Sequence, residues 1–373
     1  MTQLLPSLAD PVLSGVLAAF DLPGDPVEAC RHGQGHINDT YRVCCRLPGG
    51  EIRRYILQCI STAAFPHPDS LMENFSGITA HLRRKIIAAG GDPSRETLSL
   101  VKTRDGRDFY TDAEGKVWRI TPYIENTDCY DQATAELFEA SARAFGKFQY
   151  LLQDYPAETL HESIVNFHHT EERFAKFLSA VSADPLGRAA AVQEEIGFVL
   201  ARQADCSVAL DAFRAGRLPL RVTHNDTKLN NVLIDRDSGE GICVIDLDTT
   251  MPGLSMNDFG DSIRFGANHA REDEPDLGKV NFDISLYEVF TRGFLEGARG
   301  SLTPEELRYL PWGARLMTLE CGIRFLTDYL EGDRYFHISD PEQNLRRCRT
   351  QFKLVRDMEE QFDQMAAVVA KYS

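Results

Sequence analysis

One stretch of this chain is dense in groups that bind metals and move protons. It runs His224-Asn225-Asp226-Thr227-Lys228-Leu229-Asn230-Asn231 and is followed at a short distance by Ile245-Asp246-Leu247-Asp248. Asp226, Asn231 and Asp246 are bases or hard-oxygen ligands at strand ends flanking one turn, where they can converge on a single point. Phosphoryl transfer asks for such a set: one carboxylate orients and deprotonates the acceptor hydroxyl, while an amide oxygen and a second carboxylate hold magnesium on nucleotide phosphates. A plainer reading is an acidic, Asn-rich turn that caps strands. Upstream, Gly33-Gln34-Gly35-His36-Ile37-Asn38 lies between two strand-like runs. Backbone amides there could approach phosphates, although a tight hairpin would use the same glycines. His32 and His36 are read as loop residues with no role in proton transfer.

Positioning these residues takes two kinds of scaffold. From about Val27 to Pro122 the pattern has period two: EACRHG, TYRVCCR, IRRYILQ, ETLSLVK and VWRITP are divided by Gly49-Gly50, Asp105-Gly106 and Glu114-Gly115, which are hairpin signals. One helix interrupts them, with Leu71, Phe75, Ile78, Leu82 and Ile86 on its apolar face and Gly90-Gly91 as its stop. After Tyr123 to Asp128 the period becomes helical, first at Phe138, Ala142, Phe145, Phe148 and Leu152. A strand near Thr223 and a hairpin, NVLI and ICVI, break the helical half. Near the end, Asp340-Pro341 reads as a helix start, with an apolar stripe from Leu345 to Met365. The expected class is α+β: a β-rich N-terminal lobe with one packed helix (1–122), a hinge (123–128) and a larger helical lobe bearing the hairpin (129–373). Asp258-Phe259-Gly260 lies too far past Asp226 for the metal aspartate; Asp258 and Asp261 are expected to begin a helix and hold the Asp226 loop through backbone N–H groups.

With 373 residues the chain is long enough for more than one lobe, and with Lys and Arg at 40 against Asp and Glu at 56 it carries −16. That sign disfavours a nucleic-acid partner, which needs a basic face. It also means that a bound nucleotide relies on a metal ion and local backbone amides. The nine cysteines are scattered with no C-x-x-C pair, which suggests neither a disulfide framework nor a zinc site. A reduced, cytoplasmic setting is expected. The first 24 residues read as an amphipathic helix rather than a signal peptide, and no apolar run reaches the ~18–20 residues a membrane span needs.

The segment from His224 to Asn231 resembles the H-x-D-x-x-x-x-N motif of the protein-kinase-like superfamily, in its aminoglycoside phosphotransferase branch. The resemblance implies that Asp226 is the catalytic base, that Asn231 and Asp246 bind Mg2+ with Asp248 assisting, and that Lys228 touches the transferred phosphate of ATP. It places Gly33 and Gly35 over the nucleotide phosphates and the backbone of Tyr123 and Ile124 against adenine. In protein kinases a V-A-I-K strand brings a lysine to the phosphates, but the matching run Tyr55-Ile56-Leu57-Gln58 ends in glutamine. Gln58 donates hydrogen bonds without charge. Glu73 on the following helix then lacks its usual partner, and the positive charge falls to Lys228 with the metal, or to an arginine such as Arg42.

THNDTKLNNVLID, VIDLDTTMPG, NFHHT at 166–170 and GIRFLTDYLEGDRYFH at 322–337 are similar to the N-acetylhexosamine 1-kinase family. That resemblance implies ATP-dependent phosphorylation of the anomeric hydroxyl of N-acetylglucosamine or N-acetylgalactosamine, with Arg324 and Tyr335 contacting the sugar. The competing reading of these two is an i,i+4 pair of Arg324 with Asp328 and a core tyrosine. Two other functions stay open: an aminoglycoside or amino-alcohol kinase, which an acidic protein suits, and a non-catalytic ATP-binding module, which Gln58 suggests.

Overall fold

The computed structural model describes residues 10–33, 37–132 and 134–373, and the chain folds as two units. The first unit runs up to Thr127 and includes 161–164 and 242–250; the second holds the remainder.

In the first unit, helix α1 (Pro11–Ala19) begins where the Asp10 carboxylate accepts the Val12 N–H at 2.9 Å. Strands β1 (Asp25–Arg31), β2 (Asp39–Arg46) and β3 (Ile52–Ile60) precede α2 (Pro68–Ala88), the one-turn α3 (Pro93–Glu96), β4 (Tyr110–Thr111) and β5 (Val117–Pro122). The strands form one antiparallel sheet in the order β1-β2-β3-β5-β4. Gly50, Gly106 and Gly115 all take positive φ at its turns, where a side chain would strain the backbone. Alternation sorts the side chains. Val43, Cys45, Tyr55, Leu57, Trp118 and Ile120 pack on α1, whereas Thr40, Arg42, Gln58 and Arg119 occupy the opposite face, and α2 covers the part of that face near Ile60 and Val117. The expected strand ETLSLVK does not form. Its start lies in α3 and it contributes one bridge, Val101 to Ile120, because the neighbouring backbone is bonded to the end of α1 through Asp21 and Arg104.

The short β6 (Thr127–Asp128) leads into the second unit, built on α4 (Ala135–Leu151), α5 (Thr170–Ala183), α6 (Gln193–Leu200) and α7 (Val208–Arg214). Strand β7 (Arg221–Thr223) follows, then β8 (Val232–Asp235), whose following turn closes through the Asp235 N–H to the Glu240 carbonyl; β9 (Gly241–Val244) starts at the last residue of this stretch and otherwise belongs to the first unit. Strand β10 (Met251–Gly253) pairs antiparallel with β7. Helices α8 (Ser255–Gly266), α9 (Ile284–Ala298), α10 (Pro304–Glu331), α11 (Gln343–Glu360) and α12 (Phe362–Tyr372) complete the unit. The long α10 starts at a capping box in which Thr303 and Glu306 exchange side-chain-to-backbone bonds, and it stops at Gly332, which has positive φ. Asp340 does not cap α11, which begins at Gln343; its carboxylate instead binds the Glu342 N–H and Arg346. No helix among the described residues is long and apolar enough to cross a membrane.

Candidate active site

The loop after β7 brings three of the expected residues together in the second unit. Asn225 takes a positive φ of 66°, and the chain then turns through Leu229–Asn231. Lys228 Nζ lies 2.7 Å from Asp226 Oδ1. Asn231 Nδ2 donates to the Asp226 carbonyl at 2.8 Å and to its Oδ2 at 3.2 Å. Asn231 thus turns its amide N–H inward, leaving its Oδ1, a hard-oxygen donor, for another partner. Packing around Lys228 would lower its pKa, but attraction to Asp226 and Asp261 outweighs this and holds it above the ordinary lysine value.

Helix α8 fixes this loop as expected from Asp258 and Asp261. The buried Asp258 accepts the N–H groups of His224 and Asn225 at 2.9 and 2.7 Å and the Gln149 amide at 2.7 Å. Burial raises its pKa against those donors. Asp261 accepts the Thr227 N–H at 2.9 Å and pairs with Arg264; burial works against its ionisation, yet Arg264, Lys228 and His168 hold its pKa below the ordinary value. His168, from NFHHT, reaches the Asn225 carbonyl through Nε2 at 3.2 Å and Glu320 through Nδ1 at 2.9 Å, while Thr170 donates to the same carboxylate. Burial pushes the His168 pKa down, but Glu320 reverses the shift and the net direction is upward.

Arg324 and Tyr335 also lie in this unit. The Arg324–Asp328 pair does not form, because the Asp328 carboxylate already accepts the N–H groups of Arg334, Tyr335 and Phe336 and the Asn344 amide. The Arg324 guanidinium instead lies 5.4–5.7 Å from the ring centres of Phe167, Tyr335 and Phe336. Nor is Tyr335 a core residue: it is 65% exposed. Arg173 donates to the Phe167 carbonyl at 2.8 Å, and its buried Nε has no hydrogen-bond partner among the described residues. Burial and the neighbouring Arg324 charge lower its pKa.

The first unit holds the other expected residues. Gly33 has positive φ, whereas Gly35 lies outside the described residues. The Tyr123 ring meets His32 edge-on at 5.9 Å and lies beneath Arg54, which also pairs with Glu125; Ile124 is buried. Glu73 pairs with His161 at 2.8 Å. Asp246 follows β9 in the left-handed region, φ 59°. Gln58 is hydrogen-bonded to Arg119, whose Nε and Nη2 reach Gln58 Oε1 at 3.0 and 2.9 Å. Nη1 of Arg119 pairs with Asp248 Oδ1, and Asp248 Oδ2 accepts from Asn38 Nδ2 at 2.7 Å. Arg119 and Asp248 are 1% and 2% exposed. Arg119 is the functional candidate that motif and spacing do not single out; the register row Thr40, Gln58, Arg119 across β2, β3 and β5 is the signal that exposes it.

Among the described residues no three His, Cys, Asp or Glu side chains converge as a ready metal cage. Magnesium takes one or two carboxylates and completes its shell with water and phosphate oxygens. Asn231 and Asp246 have the required donor chemistry.

Solved structures with the same fold include a microcompartment-associated aminopropanol kinase, 16% identical, with a TM-score of 0.60 over 95% of this chain and 98% of that one. An amicoumacin kinase in complex with AMP-PNP, Ca2+ and Ami is 14% identical, TM-score 0.57, over 92% and 93%. A spectinomycin phosphotransferase in complex with ADP and spectinomycin is 14% identical, TM-score 0.53, over 99% of each. These show the kinase-like arrangement of a small antiparallel sheet unit and a helical unit. The model of the phosphotransferase enzyme family APH matches residues 28–295, most of the sheet unit and the whole loop from His224 to Asp248, and the chain belongs to that family.

Proposed function

We propose that this small-molecule phosphotransferase uses Mg·ATP to phosphorylate the anomeric hydroxyl of an N-acetylhexosamine. Asp226 orients that hydroxyl and takes its proton; an anomeric hydroxyl is more acidic than an ordinary alcohol, so the transfer comes late. Lys228 meets the γ-phosphate, Gly33 lies over the phosphates, and the backbone at Tyr123 and Ile124 meets adenine. Asn231 and Asp246 would hold magnesium, which would supply charge neutralisation for the phosphoryl oxygens.

The observation that carries the acceptor class is the arginine pair around Phe167. Arg324 is framed by three rings and makes no ion pair among the described residues, Arg173 lies beside it, and the Glu320 carboxylate that acts on both is already bonded to His168 and Thr170. A guanidinium fork suits ring hydroxyls or an acetamido carbonyl, and aromatic faces suit a pyranose. An ammonium acceptor there would face two cations. The alternative acceptor, an aminoglycoside or amino alcohol, is favoured by the acceptors named for the similar structures and by the net charge of −16. Incubation with Mg·ATP and a panel of hexosamines, hexoses, amino alcohols and aminoglycosides decides between them. Phosphorus–proton NMR coupling then places the phosphate: on the anomeric carbon of an N-acetylhexosamine if the proposal holds, on an amino alcohol or aminoglycoside if it fails. Nucleotide binding with no transfer to any acceptor would favour a non-catalytic module.

A further inference from the structure

In protein kinases a lysine–glutamate ion pair ties the nucleotide lobe together, and here neither member keeps its role: Gln58 replaces the lysine and Glu73 pairs with His161. A different buried cation occupies that neighbourhood. Arg119 sits beside Gln58 in the sheet, with its guanidinium 4.7 Å from the ring centre of Phe75 on α2. Its donors are divided between Gln58 and Asp248. Beyond Asp248 the chain of bonds runs through Asn38 to the Ser61 N–H, and on the other side Gln58 Nε2 reaches Thr40 Oγ1 at 3.3 Å. Ser163 Oγ donates to the Asp248 carbonyl at 2.8 Å, and Asn74 Nδ2 to the Thr250 carbonyl at 3.3 Å. Asn38 closes the glycine-bearing segment; Asp248 lies two residues after Asp246.

We propose that Arg119 is a positioning residue that substitutes for the lysine–glutamate pair: one buried guanidinium clamps Asp248, and through it fixes where Asp246 and the end of the glycine-bearing segment stand. Each Asp248 carboxylate oxygen already accepts a hydrogen bond, one from Arg119 and one from Asn38, and in this proposal Asp248 works as a strap rather than as a magnesium ligand. The inference rests on the kinase reading above. A buried ion pair with its remaining valences satisfied is costly to break on one side only, which gives Asp248 and Asn38 a single placement.

The test reads nucleotide binding rather than turnover. Calorimetry measures AMP-PNP affinity with and without Mg2+ for the unaltered protein and for R119K, R119Q, D248N and R119Q/D248N, alongside thermal melts. Outer-sphere partners of a metal site typically contribute about 10–100-fold in metal affinity. Accordingly, R119Q is expected to cut the Mg2+ enhancement of AMP-PNP affinity by about tenfold, at the low end of that range because it acts through Asp248. R119K, which keeps the charge and loses the fork, should fold and fall between. The effects of R119Q and D248N should be less than additive, because they interrupt one clamp. A lower melting temperature with an unchanged Mg2+ enhancement in both Arg119 variants overturns the proposal, as does loss of the enhancement in D248N together with full additivity, the mark of a direct metal ligand. If the unaltered protein binds no nucleotide, the kinase reading falls and the proposal with it; if it binds and the variants match it, only the proposal falls.

Discussion

Asp226 is held from both sides, by the Lys228 ammonium on Oδ1 and the Asn231 amide on Oδ2. That geometry aims the carboxylate; Asp226→Asn keeps its size but loses the capacity to take a proton and the ion pair with Lys228, and its NH2 replaces one of the two acceptor oxygens. Turnover should fall by about 10²–10⁴-fold, the usual worth of a general base, with AMP-PNP affinity little changed; near-normal turnover would remove Asp226 from the role. These residues were legible in sequence because their partners are five residues apart or fewer. His168 and Arg119 were not, because their partners lie across the fold, at Glu320 and Asp248. The His168–Glu320 pair makes a second test. His168 is faced by Glu320, Asp261 and Arg324, and its pKa is raised on folding. A raised pKa stabilises fully below the unfolded value near 6.5 and is lost as pH climbs through the folded value. The Glu320 shift is downward and concerns only acid pH. Melting temperature should therefore decline as pH rises from about 6 into the alkaline range, and His168→Gln should flatten that slope; an unchanged slope would show that the pair is not the source.

Helix α8 acts as an anchor, and glycines let it approach α10. A Cβ on Gly260 would come within 2.1 Å of the Gly313 carbonyl oxygen, and one on Gly313 within 2.1 Å of the Met256 carbonyl oxygen. Backbone cannot yield as a side-chain tip can, so Gly260→Ala should cost about 1–3 kcal/mol by overpacking. It should also lower turnover, because Asp258 and Asp261, on either side of Gly260, hold the Asp226 loop. Gly197 on α6 is the control. Nothing lies within 4 Å of its added Cβ, and an alanine in that helix should raise stability by roughly 0.5–1 kcal/mol in a thermal melt. Destabilisation at both positions would mean that helix context, not the close approach, sets the cost. Elements with regular periods were readable this way: β1, β2, β3, β5, α2 and α4 all lie where the pattern put them. ETLSLVK failed because a bonded tether to α1 overrides its period-two pattern, and β10 was missed because Met251-Pro252-Gly253 becomes a strand only by pairing with β7, 28 residues earlier in register.

At the scale of the whole molecule, the −16 charge acts on any nucleotide. The basic side chains at the expected nucleotide and loop positions do little to reverse it, because each has its own carboxylate: Lys228 has Asp226, Arg119 has Asp248, Arg54 has Glu125. Arg42, which sequence alone left open as a substitute cation, pairs among the described residues only with Glu28, at 3.8 Å, so it is the least neutralised of the four. One loosely paired guanidinium does not offset a triphosphate within a field of that sign, and on the proposed function the balance would come from Mg2+. The sign of the salt effect separates this account from a cation-lined site. Salt shortens the Debye length from about 30 Å at 0.01 M to about 8 Å at 0.15 M. If the protein's own field repels ATP, metal-free ATP should bind far more weakly than Mg·ATP at low salt, and added sodium chloride should strengthen the metal-free binding. If Arg42 and its neighbours instead formed a cationic cradle, metal-free ATP would bind tightly at low salt and weaken as chloride is added. Calorimetric titration of ATP with and without Mg2+ at the two salt concentrations gives the sign directly, and weakening by salt would overturn the argument from net charge.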